Sequence, residues 1–125
     1  ISKQRAQIVD IMATCVAVSG AKYPAEFNGH KILPMEGKSM APVFTGGKLA
    51  SYPMFREHEE NEAVIDGDWK LVRPHGSPWE LYNLAQDRTE LHNLAAQEPD
   101  RVTELAAEWE AWAKRTGVLP KPAKL

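Results

Sequence analysis

The chain has 125 residues, 43% of them apolar, with 15 basic and 17 acidic side chains and a net charge of −2. That length fits one domain around a single core, and the charge balance excludes the strong positive field that nucleic acid or an anionic lipid surface would need. Cys15 is the only cysteine, so neither an intrachain disulfide nor a cysteine-based zinc cluster can form. No apolar run approaches the roughly 20 residues of a membrane span, and no signal-peptide pattern opens the chain. The sequence starts at Ile1 without a methionine and moves at once into a helical pattern, which suggests a segment of a longer protein.

The first element is a helix over Gln7 to Ser19. Ile8, Ile11, Met12, Cys15 and Val16 recur at the spacing that places a stripe on one helical face. Gly20 stands where a left-handed C-cap belongs. On this pattern Cys15 reads as a small buried hydrophobe and Asp10 as a solvated residue on the far face. Between Ala21 and Pro53, four prolines and four glycines punctuate the chain, the mark of an extended connection. Ser39 is a candidate N-cap for a turn or two of helix in "MAPVFTGG". A connection of about 30 residues is unusual in a compact domain unless it lies against something larger.

Strands are expected near residues 54–59, 62–66, 69–74 and 79–83. Met54, Arg56 and His58 alternate with Phe55 and Glu57. Asp66-Gly67 separates two β-rich runs and predicts a type I′ hairpin turn. Successive hairpins of this kind give a four-stranded antiparallel sheet. The last element is a helix over Asp100–Arg115, opened by Pro99 and ended by Gly117. Its stripe of Val102, Leu105, Ala106, Trp109, Trp112 and Ala113 should cover one face of the sheet. "PKPAKL" reads as a frayed tail. The fold class is therefore α+β.

Catalytic motifs fail one by one. "HEEN" at 58–61 begins like a zinc-protease motif, but Glu62 stands where the second histidine should be. "GKS" at 37–39 ends like a phosphate loop, yet Ile32 occupies the position of its first glycine. "REHEENE" at 56–62 gathers four glutamates and a histidine, a pattern that suits a cation or a polar substrate but is ordinarily a solvated turn.

Five segments in order carry more than their parts: "QIVDIMATCVAVSGAKYP", "GKSMAPVFTG", "FREHEENEAVIDGDWKLV", "WELYNLAQDRTELHNLAAQEPDRVTEL" and "WEAWAKR". Together they resemble the C-terminal end of type I sulfatases, the arylsulfatase-like hydrolases of sulfate esters. The resemblance implies that residues 1–50 close a missing α/β catalytic domain, that 51–120 form the C-terminal subdomain of sheet plus helix, and that 121–125 are a tail. It implies a formylglycine nucleophile made from a Cys/Ser-x-Pro-Ser-Arg motif and a calcium ion held by Asp and Asn, both for the full-length parent. Neither carries over to this segment: Cys15 is followed by Val16-Ala17-Val18, and "SYPMFR" at 51–56 lacks the required serine and arginine. Where many relatives place arginines on the first hairpin strand, this chain has Glu62 and Ile65.

The segment Glu57, His58 and Asn61 resembles a family loop that approaches the rim of the substrate pocket; the competing reading is that His58 merely caps a sheet edge. The expected partner is the catalytic domain of the same polypeptide, with self-association of the isolated segment through the exposed face of its first helix. The family's habit points to a periplasmic or secreted location. Two other readings stay open: an independent binding module, and a truncated hydrolase using His58 with a carboxylate.

Overall fold

A computed structural model describes residues 4–120; the expected tail at 121–125 lies outside the described residues. The chain divides into two compact units, Ile1–Ala50 and Ser51–Leu125.

In the first unit, α1 (Val9–Ser19) ends at Gly20, which takes the left-handed conformation with φ 71°. Its buried side is the reverse of the one the apolar stripe predicts. Asp10 is 1% exposed and Ala13 and Thr14 are buried, whereas Ile8, Ile11, Met12 and Cys15 are exposed. The reason is local hydrogen bonding. Asp10 accepts the Gln7 N–H at 2.7 Å and the Lys38 N–H at 2.8 Å, and the Thr14 hydroxyl accepts the Met40 N–H at 2.8 Å. The polar face of α1 thus holds the 37–40 segment by satisfying its backbone donors. Gly37 sits against this face at φ 86°, and a Cβ there would lie 2.6 Å from the Val9 carbonyl oxygen, so no other residue fits without moving the backbone.

The connection that follows is not wholly irregular. β1 (Glu26–Phe27) and β2 (His30–Lys31) form a small hairpin across Asn28-Gly29, both at positive φ, the dipeptide most suited to a type I′ turn. A single turn of helix, α2 (Ala41–Phe44), comes next. Its N-cap is Met40, one residue later than the Ser39 expected, although the Ser39 hydroxyl does accept the Ala41 N–H at 3.1 Å.

The second unit is a four-stranded antiparallel sheet in the order β3 (Met54–His58), β4 (Asn61–Asp66), β5 (Trp69–Arg73) and β6 (Glu80–Asn83), with α3 (Pro99–Arg115) against one face. The register aligns Phe55, Val64, Leu71 and Leu81 in one row across all four strands. The last three are fully buried, and α3 covers them with Leu105, Trp109 and Ala113. Trp112 stacks on Phe55 with ring centroids 5.3 Å apart, and the Trp109 indole N–H donates to the Arg56 carbonyl at 3.0 Å. The expected helical stripe is therefore the one that packs. Asp66 pairs with Trp69, which makes Gly67-Asp68 the turn rather than Asp66-Gly67. Gly67 carries the positive φ at the first central position, where a type II′ turn wants glycine.

The outer edge of β6 is occupied. The Leu81 N–H donates to Asn93 Oδ1 at 3.1 Å, and the Leu94 N–H donates to the Leu81 carbonyl at 2.8 Å. Among the described residues, no helix is long and apolar enough to cross a membrane.

Candidate functional site

The β3–β4 hairpin turns on Glu59 and Glu60, with His58 paired to Asn61. Both turn residues lie in the left-handed region, at φ 50° and 69°. For side chains other than glycine, asparagine or aspartate this costs about 1–2 kcal/mol per residue, so something must offset it. Glu57 Oε1 accepts the Glu60 N–H at 2.9 Å, and the Asn61 amide donates to the carbonyls of His58 and Glu59 at 3.0 and 3.3 Å. Two of the three expected rim residues, Glu57 and Asn61, are thus spent on the shape of the turn. The His58 ring is exposed and has no hydrogen-bond or ion-pair partner among the described residues.

A second element reaches the same turn. Pro74 follows the last residue of β5 and has no N–H to continue the ladder beyond the Glu62–Arg73 pair. The Asn61 side-chain oxygen instead accepts the His75 N–H at 3.1 Å, and His75 Nδ1 lies 2.9 Å from Glu60 Oε2. Sequence reasoning missed His75, because nothing in "RPHGSP" marks a residue that packs on a turn 15 positions upstream.

Glu62, one of the two departures from the arginine pattern, is 3% exposed. It faces Glu57 across the β3–β4 ladder and Arg73 across the β4–β5 ladder. Arg73 Nε donates to Glu62 Oε2 at 2.8 Å, a second guanidinium N–H reaches the same oxygen, and the guanidinium stacks over Trp79 at 4.4 Å. The carboxylate is therefore the counter-ion of Arg73. A groove of about 670 Å³ opens beside this pair, with Trp79, Val102, Ala106 and Trp109 in its walls. The Trp79 ring is already engaged there, by Arg73 and by the edge of Trp109 at 6.2 Å.

The segment after β6 is built by two side chains. Asp87 Oδ2 accepts the N–H groups of Leu91 and His92 at 2.7 and 2.8 Å, and Asn93 Oδ1 accepts those of Leu81 and Ala95. The His92 N–H, ahead of that of Leu91, holds the Asp87 carboxyl below its ordinary range. Glu90, at φ 59°, aims its carboxylate at Lys70, with both oxygens 2.7 Å from Nζ. "DRTELHN" is thus a backbone-shaping motif. Among the described residues no group of three or more His, Cys, Asp or Glu is gathered as a metal site.

No protein-family model matches the chain. An uncharacterized sulfatase of Schizosaccharomyces pombe is 30% identical over a 134-residue alignment that takes in 98% of this chain and 24% of that protein. Arylsulfatase K of Xenopus laevis is 24% identical, over 78% of this chain and 20% of its own length. Among solved structures, Ps i-CgsB in complex with k-i-k-neocarrahexaose superposes with a TM-score of 0.66 at 25% identity, over 85% of this chain and 24% of that one. The chain thus spans about a quarter or less of the proteins it matches. The likeness to sulfatases, expected from five ordered segments, is borne out across nearly the whole sequence.

Proposed function

Starting from this likeness to the C-terminal region of type I sulfatases, we propose that the chain is the closing part of an enzyme that hydrolyses sulfate esters. Its own task is to complete the fold and to set the β3–β4 turn at the rim of the substrate pocket. The observation that carries the proposal is the match of 98% of this chain to only 24% of a sulfatase.

Formylglycine and calcium, which the family implies, would belong to other parts of the longer polypeptide. The described residues fit neither. Cys15 lies on α1 with Val16-Ala17-Val18 behind it, and among the described residues no group of three or more His, Cys, Asp or Glu is gathered where it could hold a cation. In the rim, Glu57 and Asn61 shape the turn and His58 is the group left to meet a substrate oxygen, as a hydrogen-bond donor. The partner is the catalytic domain of the same polypeptide, received on the exposed stripe of α1, and the compartment is periplasmic or extracellular.

The test is a sulfatase assay with a generic aryl sulfate and calcium, run on the 125-residue chain and on the product of the whole reading frame. The longer product should turn over and the short chain should not. Turnover by the short chain would overturn the supporting role and direct attention to His58. A saturable ligand bound by the short chain, with no sulfatase activity in the longer product, would favour an independent binding module.

A further inference from the structure

We propose that His75 is a positioning residue for the rim, fixing the β3–β4 turn against the connection between β5 and β6. This deepens the rim reading above and rests on it. Three observations converge. Glu59 and Glu60 are consecutive non-glycine residues at positive φ, a conformation that persists only where its surroundings over-determine it. The bonds from Glu57 and Asn61 come from within the hairpin, so they move with it. His75 ties the turn to a different segment, by its backbone N–H to Asn61 and by its ring to Glu60.

That segment is itself constrained. The Ser77 N–H donates to the Pro74 carbonyl at 3.0 Å, closing a turn with His75 and Gly76 at its centre, and Gly76 takes φ 74°. Pro74 fixes the backbone ahead of His75. A short, proline-bounded turn therefore serves as the anchor, and the imidazole is the strut from it to the strained turn. The exposed ring of His58, two residues before Glu60, inherits its direction from this arrangement. His75 acts through Glu60 and Asn61.

The test has two parts. In the 125-residue chain, amide exchange at Glu60 read by NMR should accelerate in His75→Ala by roughly two- to fivefold, the scale of an exposed ion pair. Glu60→Gln should accelerate it similarly, and the double variant should add nothing further. Unchanged exchange in His75→Ala, or fully additive effects, would overturn the strut. In the product of the whole reading frame, His75→Ala should raise KM for a sulfate ester by a similar factor while leaving kcat in place. Accelerated exchange with an unchanged KM would remove the rim reading and His75's role toward substrate, while the strut itself would stand.

Discussion

Arg73→Ala removes the counter-ion of a carboxylate that has little access to water. Glu62 is 3% exposed and loses both guanidinium donors, while Glu57 still faces it from β3. Breaking a fully buried pair costs about 3–5 kcal/mol. The Arg73 side chain is 39% exposed, so water replaces part of what is lost, and about 2–3 kcal/mol is the reasoned size after that screening. In a unit of this length it corresponds to a fall in Tm on the order of 10–20 °C. All four tryptophans, Trp69, Trp79, Trp109 and Trp112, lie in the second unit, so tryptophan fluorescence during thermal or urea unfolding reports on that unit. Adding Glu62→Gln to Arg73→Ala should recover much of the loss, because a neutral amide tolerates burial better than a carboxylate that has lost its guanidinium partner. An Arg73→Ala variant within about 0.5 kcal/mol of the parent, the usual range for inert surface changes, would refute the reasoning. So would a double variant no more stable than the single.

Two further outcomes are expected. The Tyr82 hydroxyl donates to Glu80 Oε2 at 2.7 Å, and that bond, followed by burial, raises its pKa to about 12 from 10.0. The unfolded tyrosine loses its proton first, so this contribution to stability is complete below pH 10 and is lost as the pH climbs toward 12. Tyr82 should ionise late in an absorbance titration, a step that disappears in Tyr82→Phe, and that variant should flatten the same part of the stability profile; loss of the Tyr82 proton near pH 10 would contradict this. Cys15, exposed on α1, should react promptly with a thiol reagent in the native 125-residue chain and slowly in the product of the whole reading frame. Equal rates in both would mean that the α1 stripe is not where the rest of the polypeptide docks.

The sheet and α3 were legible in the sequence because each is a self-sufficient pattern. The six apolar positions from Val102 to Ala113 and the row Phe55, Val64, Leu71 and Leu81 bury each other, and both partners are present in the chain. The buried face of α1 departs from the expected stripe for the complementary reason. Periodicity identifies an apolar stripe, but in this chain the residues that pack are Asp10 and Thr14, which answer backbone donors 26 and 28 positions away. No periodic signal carries such a pairing. Asn28-Gly29 is a turn signal set amid many prolines and glycines, whereas the Glu59-Glu60 turn has no glycine to announce it. At the β3–β4 turn, Glu57, His58 and Asn61 do lie together, but that Glu57 and Asn61 hold the turn and that His75 joins them follows from tertiary geometry alone.

The outer edge of β6 has one further consequence. An exposed strand edge is a template on which another chain can polymerise. Here Asn93 and Leu94 occupy both backbone groups of Leu81, so an incoming strand would first have to displace a segment of its own molecule. If copies of this chain associate at high concentration, this edge of the sheet is closed to strand-by-strand growth, and any strand pairing between copies would have to use the β3 edge instead.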